Sequence, residues 1–291
     1  GADYVCGVVP TVGRLWPDPD ALYSHQPAIH WASKPLVWRR HILFVKPDYF
    51  VLLDELDSYV PCDWWLHVGG ARAKSQQPQA PSLLVAQNTV TFERPDNVAL
   101  DAFFLEPRQA QPKTGQVITT NGTTRHVAVA DNGTTCFRAV LYPRYRTESR
   151  PTAELIAPGI IEVDRPGGWD LVVLDQAQRR YENRLRGVSI EGSVAVVRRN
   201  GSQWSAVLIA GRTIRLPGLR ISAQAQISVA RDRWGAMAFE VVEHSAPVIV
   251  LLEGQWLRRK RLRVEGQTPR PVVGSSAEVN LPAGLNRFAI E

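Results

Sequence analysis

The residues best placed to do chemistry lie close together in this chain. His41 and Asp54 sit near the two ends of "RHILFVKPDYFVLLDE" (40–55), and His67 follows thirteen residues later in "CDWWLHV". The apolar middle of the first stretch, interrupted by Pro47-Asp48, reads as a β-hairpin. With Pro47-Asp48 as a two-residue turn, His41 faces Asp54 and Arg40 faces Glu55, and directly opposed side chains stand about 5 Å apart at Cβ. If "WWLHV" is the next strand, a second imidazole joins the pair. Two His and one Asp on neighbouring strands make a zinc site with a position open to water or a fourth ligand. The alternative is a charge-assisted His–Asp hydrogen bond, with His67 elsewhere.

The elements that must hold these residues are strands. Short β-rich runs such as "YFVLLDEL", "TVTFER", "VALDAFFL", "TCFRAVLY" and "WDLVVLD" recur every 8–12 residues or so, between turn residues, and no long helix is expected. Many runs are apolar on both faces, as strands between two layers are. The pattern predicts an all-β chain: a large, two-layered antiparallel β-sandwich over 31–187, followed by a smaller C-terminal β domain over 188–291. Residues 1–30, with Pro10, Pro17, Pro19 and Pro27, read as an irregular lead-in, and "QAQRRYENRLRG" (176–187) reads as a polar connector.

Composition narrows the class. With 291 residues the chain can bury a large core. It has no apolar run near the roughly 18 residues of a membrane span, so no membrane partner is expected. It begins with Gly1 and carries no visible secretory signal, which reads as a processed product or a fragment. The whole net charge of +6 falls in residues 191–291, which hold fourteen Lys+Arg against eight Asp+Glu. Cys6, Cys62 and Cys136 fit neither a zinc ribbon nor a disulfide scaffold. The three Asn-Gly pairs, at Asn121, Asn132 and Asn200, read first as turns. No P-loop, dinucleotide fingerprint, nucleophile elbow or zincin helix is present.

The stretch "WRRHILFVKPDYFVLLDEL" followed by "WWLH" resembles the start of the β-sandwich region of heparinase II/III-like polysaccharide lyases, and "VLIAGRTIRLPGLRISAQAQISVA" is more weakly similar to their C-terminal β-region. The resemblance implies β-elimination on an acidic, uronate-containing polysaccharide, such as a glycosaminoglycan or alginate. It also implies a periplasmic or secreted location, and zinc held by His41, Asp54 and His67. Members of this family join an N-terminal α/α toroid to the sandwich and draw most catalytic residues from it. These 291 residues do not include a toroid, so it is an expected partner domain or chain. Two departures stand out: there is no "HxHAD"-like sequence, and Arg39 stands where some members have a His.

β-Elimination needs a neutralised uronate carboxylate, a base for the C5 proton and an acid for the leaving oxygen. His30 in "PAIHWASKP" is the candidate base or acid, with Tyr23 and His25 nearby; a surface loop accounts for them equally well. Arg39 and Arg40 suit a carboxylate or sulfate, or else pair with acids such as Glu55. Trp64 and Trp65, like Trp31 and Trp38, suit either sugar stacking or core packing. The basic run "WLRRKRLRV" (256–264) comes with no nucleic-acid fold signature, so no nucleic-acid partner is expected. The competing function is a non-catalytic glycan-binding or structural sandwich module.

Overall fold

β-Branched and aromatic residues in short runs, cut by Gly, Pro and Asn turns, leave the backbone one economical way to pair its amides: antiparallel sheets. A computed structural model of the chain describes residues 1–11, 36–57, 63–69, 81–108, 110–119, 122–130, 136–231, 236–242, 244–284 and 286–291. Among these the chain is all β, with a single 3-10 turn at Gln255–Leu257. It divides into two compact units, Asp3–Glu148 and Ser149–Glu291, the latter with Gly1–Ala2.

The first unit carries β1 (Ala2–Thr11), β2 (Leu36–Val45), β3 (Tyr49–Asp57), β4 (Asp63–Gly69), β5 (Ser82–Ala86), β6 (Thr89–Glu93), β7 (Val98–Glu106), β8 (Lys113–Thr119), β9 (Gly122–Ala130) and β10 (Cys136–Tyr145). Seven of these form a sheet in the order β1-β2-β3-β10-β7-β6-β5, and three form a smaller sheet, β4-β9-β8. Trp64, Val127 and Val129 of the small sheet pack against Val90, Phe92, Ala102, Phe104, Phe137 and Ala139 of the large one. Each buried Val or Phe in this layer contributes about 1.5–3 kcal/mol. β7 and β10 run through the middle of the large sheet and are buried along most of their length, as their continuous apolar runs require.

The second unit carries β11 (Thr152–Ala157), β12 (Ile160–Arg165), β13 (Gly168–Asn183), β14 (Val188–Asn200), β15 (Gln203–Leu216), β16 (Leu219–Ala223), β17 (Ile227–Arg231), β18 (Met237–Val241), β19 (Val248–Glu253), β20 (Arg261–Val264), β21 (Arg270–Pro271), β22 (Ser276–Leu281) and β23 (Asn286–Ile290). All belong to one sheet of 13 strands that branches at β15. One core runs through it, from Ile160 and Leu171 to Phe288 and Ile290. At the β14–β15 hairpin Asn200 pairs with Gln203, leaving Gly201-Ser202 as the turn, with Gly201 at φ 56°, so the turn lies one residue beyond the Asn-Gly pair itself.

Four organisational expectations change. The units meet at 148/149, whereas 188 falls just after a tight turn inside one hairpin, because β13 and β14 pair along most of their length. The second unit is nearly equal in length to the first rather than clearly smaller. The supposed connector 176–187 is the exposed half of β13 and its turn; its polar residues largely face water while Arg179 to Asn183 stay paired to β14. The lead-in, too, is part strand, since "YVC" and "VV" put β1 on the edge of the large sheet.

The β2–β3 register is the correction that matters most. Val45 pairs with Tyr49, so the turn spans three residues, Lys46-Pro47-Asp48, closed by Asp48 N–H to Val45 O at 2.9 Å. His41 therefore faces Leu53, and Arg40 faces Asp54. A one-residue shift puts every side chain of one strand opposite the other face of its partner.

Candidate functional site

The shift separates His41 from Asp54 and gives the hairpin two chemically different faces. On the face toward the small sheet, Asp54 is 1% exposed. Arg40 grips it with both prongs, Nε to Oδ1 at 2.8 Å and Nη2 to Oδ2 at 2.7 Å, and Trp64 Nε1 donates to Oδ2 as well. Arg40 in turn lies over the Trp38 ring, 4.6 Å from its centre. Trp64 is itself buried and meets Phe104 edge-on. Arg40, Asp54 and Trp64 thus form an internal ion pair with its cap. Trp64 is not presented to a ligand, Arg40 keeps 38% side-chain exposure while its fork is spent on Asp54, and the acceptor positions Asp54 would offer a metal are taken by N–H groups.

His41 sits on the opposite face. Its Nδ1 accepts from the Tyr4 hydroxyl at 2.7 Å, and its Nε2 donates to Glu55 Oε2 at 2.9 Å. That pair of bonds fixes the imidazole between the phenol and the carboxylate, with Nε2–H toward Glu55. Cys6 Sγ lies 4.0 Å from Nε2. Burial, reinforced by Cys6 and Glu55, pushes Tyr4 up to about 12, so the phenol keeps its proton at neutral pH.

The polar row continues across the sheet. Cys136 is Glu55's partner on β10 and donates to Glu106 Oε2 at 3.2 Å, and Arg138 is ion-paired to the same carboxylate. Burial, chiefly, pushes the Cys136 thiol well above its ordinary range, so it is no nucleophile at neutral pH. Arg39, opposite Glu55 on β2, lies on this same face and makes no ion pair with another described residue. Tyr4–His41–Glu55 has the logic of a proton relay: a carboxylate orients an imidazole, whose free nitrogen addresses a hydroxyl.

His67 goes elsewhere. Trp64, Leu66 and Val68 of β4 turn toward the core, so Trp65 and His67 turn to solvent on the outer face of the small sheet. There His67 is cross-strand partner to His126 of β9. Trp65, 42% exposed, is the tryptophan of this pair that a ligand can reach. The expected triad of His41, Asp54 and His67 is therefore spread over three surfaces, and among the described residues no three His, Cys, Asp or Glu side chains form a metal-holding group. These residues do not fit the expected zinc as a set. His30, with Tyr23, His25, Trp31 and Cys62, lies outside the described residues.

Tyr4, Glu55 as His41's partner, and His126 were not anticipated as site residues. The alternation in "DYVCGVV" was the available signal for β1 and hence for Tyr4. For His126 there was none, because its pairing with His67 joins residues 59 positions apart. Comparison with protein-family models returns no match to the chain, and comparison with curated proteins returns none.

Proposed function

We propose that this chain is the β-sandwich part of a polysaccharide lyase that cleaves an acidic, uronate-containing glycan by β-elimination, in the manner of the heparinase II/III-like proteins it resembles. The observation that carries the reading is the Tyr4 hydroxyl held 2.7 Å from His41 Nδ1, with Glu55 behind the imidazole and Arg39 on the same face. In this reading Arg39 pairs with the uronate carboxylate and stabilises the charge that builds up when the C5 proton leaves. The C5–H electrons form the C4–C5 double bond, the C4–O bond breaks, and Tyr4 gives its proton to the departing oxygen. A phenol raised toward 12 suits that role, since an alkoxide leaving group is more basic still. A proton from solvent then restores the Tyr4 hydroxyl, which His41, held in turn by Glu55, keeps oriented. The base comes from outside the described residues: His30, or an N-terminal toroid domain or chain. A periplasmic or secreted setting goes with such a substrate.

The test is incubation with a panel of uronic-acid polysaccharides, following the ultraviolet absorbance of the unsaturated product. Turnover that falls about 10²–10⁴-fold in Tyr4→Phe, with the fold intact, is the expected result. No product from the toroid-containing protein across the panel overturns the lyase. The exposed Trp65 favours a second reading, a glycan-binding module. Retention on a polysaccharide without turnover, lost in Trp65→Ala, would be its mark.

A further inference from the structure

The outer face of the small sheet holds a second cluster that the lyase reading does not use. His67, His126 and Gly115 lie in one row across β4, β9 and β8. The two imidazole rings have centres 5.8 Å apart and are tilted by 46°. Trp65 closes one side, 4.9 Å from the His126 ring and 5.9 Å from that of His67. Gly115 provides the floor. A Cβ there would stand 2.4 Å from His126 Nε2 and 2.5 Å from Cε1, so a residue without a side chain lets the ring lie flat across β8.

His126 is the unexplained member. Its Nδ1 is buried and has no hydrogen-bond partner among the described residues. A buried ring nitrogen without a partner stands beside a solvent-exposed imidazole directly across the strand pair, and an ion shared by the two, reached by a turn of the His126 ring, would satisfy it.

We propose that His67 and His126 form a two-histidine site for a borderline divalent transition-metal ion, zinc or nickel, walled by Trp65 and open to solvent on its remaining positions. The dimensions agree. With Zn–N about 2.0–2.1 Å and roughly 1.1 Å from nitrogen to ring centre, two imidazoles on one tetrahedral ion have centres about 5 Å apart. Closing from 5.8 Å takes a small rotation of the exposed His67 side chain. Imidazole selects zinc, nickel and copper over magnesium or calcium. The site keeps His67 from the expected triad and needs neither His41 nor Asp54.

The experiment uses the full chain purified without a polyhistidine tag, stripped with a chelator, then titrated calorimetrically with Zn²⁺ and separately with Ni²⁺. One ion per chain is expected. His126→Ala and His67→Ala should each weaken binding at least about tenfold, since even outer-shell partners of metal ligands are worth 10–100-fold. Gly115→Val should weaken it with both imidazoles retained, whereas His41→Gln should leave it unchanged. Absence of binding by the wild type, wild-type affinity in His67→Ala, or equal loss in His41→Gln would overturn the site. Should His126→Ala fail to fold, His67→Ala decides, because His67 is exposed and its removal leaves the core intact.

Discussion

The two faces of the β2–β3 hairpin use the same kinds of residue to opposite ends. Toward the small sheet, Asp54 is almost wholly buried and receives N–H groups from Arg40 and Trp64. On the other face, Glu55 keeps 18% side-chain exposure and holds His41, which in turn holds Tyr4. The Asp54 arrangement recurs where the sheets need an anchor. Asp101 is gripped by Arg144 and Thr91, and Asp170 by Arg165 and Arg198, with both aspartates at 0% exposure. A carboxylate surrounded by fixed donors has nothing left to give a substrate, and its removal leaves cations behind in a dry place. A carboxylate at the edge of solvent, aimed at an imidazole, can instead set a tautomer and move a proton.

The largest effect that would break this comparison concerns adjacent tryptophans of β4. Trp64→Ala should cost about 3–5 kcal/mol, because it opens a cavity beside Phe104 and strips a donor from Asp54. Trp65→Ala, one residue on and facing solvent, should cost within about 0.5 kcal/mol. Urea midpoints of the two variants measure the difference directly. Similar losses would mean that β4 does not turn Trp64 inward and Trp65 outward.

Next in size is Asp54→Asn. The loss should be about 3 kcal/mol, at the low end for breaking a buried pair, because Arg40 keeps 38% side-chain exposure and can recover some water. Glu55→Gln on the opposite face should cost less than half as much by the same urea measurement, since its partly exposed oxygens lose little on neutralisation. A reversed order would make the Tyr4–His41–Glu55 chain the structural element and Asp54 the expendable one.

Much of this was legible in the residues themselves. Period and punctuation give the strands, and the apolar runs of β7 and β10 give the central layer, because burial on two faces leaves a direct mark on composition. The hairpin was legible too; its register was not. Pro47-Asp48 is compatible with a two- or a three-residue turn, and one residue decides whether His41 meets Asp54 or Leu53. Tyr4 was hidden because edge strands are short on apolar signal: Val5 and Val8 of β1 stay exposed. His126 and Gly115 find His67 only through sheet pairing, a long-range fact that local pattern does not encode.

The smallest expected effect tests the proton-holding character of the His41 face. Tyr4 is raised from its ordinary 10 to about 12 by burial, then by Cys6 and Glu55, each of which disfavours the phenolate. The protonated form is the one the fold prefers. Stability from this group is therefore fully present below pH 10 and is lost as pH climbs from 10 through 12. Solvent screening around a partly exposed ring holds the loss to about 1 kcal/mol or less. Other groups titrate in the same window, so the measurement is a difference: unfolding free energies of the wild type and Tyr4→Phe at pH 9 and pH 11.5. Wild type should lose more between the two, because phenylalanine has no proton to release. Parallel losses would mean that the Tyr4 hydroxyl is not buried beside Cys6 and Glu55, and the relay on this face would lose its acid.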